Sequence, residues 1–65
     1  MYYAVAADKD GKLEQWGAGD TRQGCLTLAE ENIYNTYRDN ARKRNTLYDK
    51  LAVLNEEEAR QKGVA

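Results

Sequence analysis

The chain has 65 residues, ten basic and eleven acidic, for a formal net charge of −1 and a mean hydropathy of −0.93. That size allows one domain at most, 1–65, near the lower limit for a self-sufficient core, and the balanced charge argues against strong global attraction to nucleic acid or anionic membrane. With no histidine, no proline and one cysteine, an internal disulfide is excluded, and the side chain that commonly titrates near neutral pH and ligates metals is missing.

Residues 2–7 (YYAVAA) read as a strand. Asp8-Lys9-Asp10-Gly11-Lys12 is a turn, with Gly11 suited to the left-handed position of a three-residue hairpin loop. Residues 12–16 (KLEQW) return as a second strand, with Ala7 facing Leu13, Val5 facing Gln15 and Ala4 facing Trp16. Neither face of this hairpin is cleanly apolar, and an isolated hairpin is marginal in water, so it must lie on something. The first strand lacks a basic leader and is too short for a signal peptide, and no stretch approaches the ~20 apolar residues of a membrane span. A soluble, cytoplasmic protein without membrane contact is the expectation.

Trp16 to Cys25 (WGAGDTRQGC) holds three of the five glycines. Gly19 and Gly24 have the spacing of a phosphate loop, but Cys25 and Leu26 stand where Lys and Ser/Thr are required. The chain also has no room for the parallel sheet such a loop needs. A connector is therefore expected, with Arg22 as an anion contact beside the following helix start. Cys25 lies before that start, where the helix dipole lowers a thiol pKa, yet no base is present to activate it. The Asp8–Lys12 turn fails the calcium-loop spacing, because loop position 12 falls on Gly19. No catalytic residue, metal or cofactor is expected.

From Thr27 the pattern becomes helical. Thr27-Leu28-Ala29-Glu30 fits a capping box, while Arg60, Lys62 and Gly63 provide a stop. At 100° per residue, Ile33, Tyr34, Tyr37, Ala41, Tyr48, Leu51 and Ala52 form one stripe. The unbroken phase favours a single amphipathic helix over about 28–62. A weaker capping box, Thr46-Leu47-Tyr48-Asp49, opens the alternative of a helical hairpin broken near 44–46. The fold class is thus α+β: an N-terminal hairpin, a glycine-rich loop and a long helix. Such a helix cannot bury its stripe on a short hairpin, so a homodimer is expected.

Two surfaces carry the functional expectation. Trp16, Ile33, Tyr34, Tyr37, Tyr48, Leu51 and Leu54 are the candidate partner or dimer interface, because Tyr and Trp supply large amphipathic contact area. Arg38, Arg42, Lys43 and Arg44 put four cations within seven residues, just after Tyr34 and Tyr37. With Arg22, they are the candidate anion or nucleic-acid contacts. On a continuous helix, however, these cations ring the axis rather than forming a stripe. A non-enzymatic protein-interaction module that binds, inhibits or tethers a larger protein is the favoured reading. Its size and near-neutral charge are in the style of phage and mobile-element accessory proteins. A small nucleic-acid-binding protein using 38–44 is the alternative.

Overall fold

The computed structural model describes residues 1–64. The order is β1 (Tyr2–Ala7), β2 (Leu13–Gly19), α1 (Arg22–Thr36), α2 (Ala41–Lys50), β3 (Ala52–Asn55) and α3 (Glu56–Gln61). The strands form one antiparallel sheet in the order β2-β1-β3. The chain is α+β with an N-terminal hairpin.

The hairpin closes at the Asp8–Lys12 turn. Asp8 Oδ1 accepts from the amides of Asp10 and Lys12, both at 2.9 Å, and Gly11 takes φ 82°, a left-handed conformation that glycine adopts without steric cost. Ala7 faces Leu13 and Val5 faces Gln15, but Ala4 faces Gly17 rather than Trp16. A bulge at Trp16 takes up the extra residue, and β2 runs on to Gly19 instead of ending at 16.

β1 is the central strand, and Ala4, Val5 and Ala6 are all buried. It therefore carries a continuous apolar run instead of alternating polarity, because both sheet faces are covered. On one face Ala4 packs on Cys25 and Ala29 of α1, and Ala6 on Ile33 and Leu47. On the other, Val5 and Leu54 pack on Ala59 of α3, with Tyr3, Leu13 and Val64 at the margin.

The helical half departs from the expected single helix over 28–62. The N-cap of α1 lies six residues before Thr27: it is Thr21, its hydroxyl accepting from Gly24 N–H at 3.0 Å. Thr27 sits inside α1 and receives a hydrogen bond from Gln23 Nε2. What read as a ten-residue glycine-rich loop is the end of β2, a link at Asp20–Thr21 and the first turn of α1. The break between helices falls at 37–40, not 44–46, because Asn40 caps α2 by accepting from Lys43 N–H at 3.1 Å. Thr46 lies within α2, its hydroxyl donating to the Arg42 carbonyl.

Ala52 to Asn55, expected as helix, is β3, paired to β1 from Tyr2↔Asn55 to Val5↔Ala52. Asn55 and Glu58 form the capping box that starts α3. Gly63, at φ 76°, follows the C-cap of α3.

Candidate functional site

The corner between α1 and α2 gathers the cationic segment. α1 stops at Thr36, with the Tyr37 N–H still bonded to the Ile33 carbonyl, and the Asn40 N–H closes a turn onto the Tyr37 carbonyl at 3.1 Å. The carbonyls that follow the end of α1 also need partners. Half-buried Arg44 provides them, its Nη1 donating to the Tyr37 carbonyl at 2.8 Å and to that of Arg38. A cation there also complements the negative end of the α1 dipole.

Tyr34 projects from the last turn of α1 with 47% of its surface exposed. Two guanidiniums lie over its ring, Arg44 Cζ at 5.1 Å from the centroid and Arg38 Cζ at 5.9 Å. Arg38 is also held by a 3.2 Å hydrogen bond to Asn35 Oδ1. Beside them, Lys43 Nζ lies 4.9 Å over the Tyr37 ring, which in turn leans on Trp16 at 6.0 Å between centroids. Contacts of this kind fix the rings and the cations relative to one another. A shallow depression of about 500 Å³ adjoins them, lined by Asn35, Thr36, Tyr37, Arg38, Asp39 and Asn40. Among the described residues the one ion pair joins Arg60 to Glu56, so no carboxylate neutralises the corner cations within 4.0 Å.

The break at 37–40 thus brings Arg38 and Arg44 to Tyr34 and Lys43 to Tyr37, while Arg42 lies exposed on the first turn of α2. Arg22 is not part of this corner. It stacks on Tyr2 at 5.0 Å at the opposite end of α1, about 20 Å away along a 15-residue helix.

The expected partner face is largely consumed inside the chain. Ile33 and Leu54 are buried, while Trp16, Tyr37, Tyr48 and Leu51 are half-buried against the core. Of that set, only Tyr34 turns its ring to solvent. The stripe therefore needs no second copy to cover it, and the reason for a dimer through the long helix falls away.

The other sequence motifs have structural roles. A Cβ at Gly17 would stand 2.8 Å from both Ala29 N and the Cys25 carbonyl oxygen, so glycine is there to let β2 touch the α1 backbone. Cys25 is fully buried, its thiol 3.6 Å from the Gly17 carbonyl, and desolvation pushes its pKa up. That is opposite to the lowering expected from a helix start. Burial, which disfavours the thiolate, prevails. Among the described residues no group of three or more His, Cys, Asp or Glu is placed to hold a metal, and no helix is long and apolar enough to cross a membrane.

Asn35 and Asn40 were not singled out in the sequence, although both shape the corner. Asn40, a strong N-cap residue type with Asp39 before it, was the available signal. Comparison with protein-family models, curated proteins and solved structures finds no match in any of the three.

Proposed function

We propose that the chain is a small non-enzymatic interaction module that docks on a larger protein through the α1–α2 corner, with Tyr34 as the anchor. The carrying observation is the exposed Tyr34 ring with the Arg38 and Arg44 guanidiniums 5.9 and 5.1 Å from its centroid. Tyr and Arg dominate binding hot spots, and side chains ordered before binding lose little entropy on association. Arg42 and Lys43 extend a positive rim, so the matching surface on the partner is acidic. In this reading the module works by occlusion or tethering inside the cell, where a lone thiol stays reduced.

The test is affinity capture from the cells that make the protein, comparing the native chain with Tyr34→Ala, Arg38→Ala and Leu28→Ala. Leu28 is also exposed, at 41%, but lies two turns from the corner. A partner retained by Leu28→Ala and lost with the other two supports the assignment. Equal capture by all four chains refutes it.

A second reading is favoured by one observation, the collection of Arg38, Arg42, Lys43 and Arg44 at a single corner, which suits a phosphate backbone. Against it, Arg44 is committed to the Tyr37 and Arg38 carbonyls. Binding to single-stranded nucleic acid that falls steeply with salt and with Arg42→Ala would establish this reading. No binding at low salt would dismiss it.

A further inference from the structure

Gly11 is the one glycine of the chain that follows an aspartate or an asparagine. The dipeptide Asp10-Gly11 lies in the hairpin turn, and its surroundings bear on its chemistry. The Asp10 carboxylate is exposed and, among the described residues, accepts no hydrogen bond and joins no ion pair. Gly11 has no side chain to shield its amide nitrogen, and nothing lies within 4 Å of the position a Cβ would take. Every other aspartate is followed by a bulkier residue: Asp8 by Lys9, Asp20 by Thr21, Asp39 by Asn40 and Asp49 by Lys50.

Asp8 opposes this reactivity. Its carbonyl accepts from Gly11 N–H at 3.0 Å, and its own N–H donates to the Lys12 carbonyl at 2.8 Å. Its Oδ1 accepts from the amides of Asp10 and Lys12, both at 2.9 Å. An aspartate that bonds the backbone two residues on holds a turn in this way. The nitrogen that could attack the Asp10 side chain is therefore engaged elsewhere, and the residues on both sides of it are tied to Asp8.

We propose that Asp10-Gly11 is a site of spontaneous isoaspartate formation, and that Asp8 restrains the reaction by keeping the turn closed. The Gly11 nitrogen bonds to Cγ of Asp10 in its carboxylic acid form. The nitrogen gives up its proton and Cγ its hydroxyl, which leave together as water, and a succinimide ring closes. Water then adds at one of the two ring carbonyls. Breaking the bond from Cγ to nitrogen restores aspartate, whereas breaking the bond from the Asp10 backbone carbon to nitrogen leaves isoaspartate. One water leaves and one returns, so the mass is unchanged and no oxidant, metal or partner enters. Ring closure takes the Gly11 nitrogen away from the Asp8 carbonyl, so the turn reacts only while open.

In the product the backbone runs through the side-chain carboxyl and is one carbon longer. Gly11 and Lys12 then lose their places on the Asp8 carbonyl and Oδ1, and the turn no longer sets Ala7 opposite Leu13. Because β1 is the central strand, the sheet loosens from its hairpin end. Tyr34 and the cations around it take no part in this chemistry, which is independent of the proposed function.

The test incubates the native chain, Asp8→Ala, Asp8→Asn and Asp10→Glu for weeks in warm, mildly acidic buffer, with the native chain in guanidinium chloride as the unfolded reference. Peptide mapping, with fragmentation that separates isoaspartate from aspartate, gives the rate at each position. Isoaspartate should appear at position 10 ahead of every other position, and at least about ten-fold faster in the unfolded chain. Asp8→Ala, shown to be folded by circular dichroism, should react about five-fold faster than the native chain, the effect of losing two exposed hydrogen bonds to a carboxylate. Asp8→Asn keeps an Oδ1 acceptor and should stay near the native rate. Asp10→Glu, whose longer side chain closes the ring poorly, should remove the product at that position. Equal rates in the folded and unfolded chains overturn the proposal. So does a folded Asp8→Ala that reacts no faster than the native chain, or isoaspartate that appears first at another position. Where Asp8→Ala does not fold, the comparison of folded with unfolded native chain decides alone.

Discussion

Replacing Gly17 by alanine places a methyl group 2.8 Å from Ala29 N and the Cys25 carbonyl oxygen and 3.1 Å from Ala29 Cα. All three are backbone atoms of α1, so no rotamer change relieves the contact. The helix must retreat by about 0.6 Å, the gap between 2.8 Å and the 3.4 Å at which ordinary contact begins. Retreat loosens Cys25, Ala29 and Ile33, all fully buried against β1 and β2. Overpacking of this kind costs roughly 2–3 kcal/mol, against a total stability of about 3–10 kcal/mol for a chain of this length. Thermal unfolding followed by circular dichroism should show Tm lowered by about 10–20 °C. Gly11 separates this mechanism from backbone strain. Its φ is 82° with nothing within 4 Å of a built Cβ, so Gly11→Ala costs about 1–2 kcal/mol and Gly11→Asn less, since asparagine tolerates that conformation. At Gly17 asparagine should be worse than alanine. A Gly17→Ala chain within about 0.5 kcal/mol of the native one, the range of ordinary surface substitutions, would refute the claim that β2 rests on the backbone of α1.

Thr21→Ala should cost about 1 kcal/mol by urea titration, as loss of an N-cap does, while Thr27→Ala should cost far less because Thr27 is exposed inside α1. Arg44→Ala should cost about 1–2 kcal/mol by removing charged donors from the Tyr37 and Arg38 carbonyls. Arg44→Lys should recover only part of that, since an ammonium lacks the guanidinium fork. Cys25 has its pKa raised by burial, so its contribution to stability is complete below the unfolded thiol value of about 8.5 and is lost as pH rises through the folded one. The stability difference between the native chain and Cys25→Ala should therefore shrink between pH 7 and strongly alkaline solution, read as the shift between their urea midpoints.

How much of this was legible in the sequence depended on the range of the interactions. The hairpin was visible because its determinants lie within a few residues: Asp8 and Gly11 define the turn, and the turn sets Ala7 opposite Leu13. The extra residue at Trp16 was not, since its bulge answers to Gly17 meeting α1 and to Asn32 reaching the Trp16 carbonyl. α1 was placed late because its buried line is Cys25, Ala29 and Ile33, two of them small and only weakly apolar, whereas the Thr27 capping box is a louder local pattern. β3 was hidden for a different reason. Its first residue, Ala52, continues the helical phase of Tyr48 and Leu51, and its reason to be a strand is β1, 47 residues earlier at the Val5↔Ala52 pair. The cationic segment was visible in composition, but its geometry depended on the break at Asn40, which a phase count carried across. The aromatic stripe was likewise real as a set of apolar positions, and most of it serves the core of the chain itself.

The central claim is that Tyr34 and the cations around it form the surface that meets a protein. The most direct measurement places a photo-crosslinking amino acid at position 34 in one chain and at Glu57, on α3, in another, with irradiation in the cells that make the protein. Mass spectrometry should then identify one protein joined to position 34 and absent from position 57. The same products from both positions, or attachment at 34 only to nucleic acid, would contradict the account.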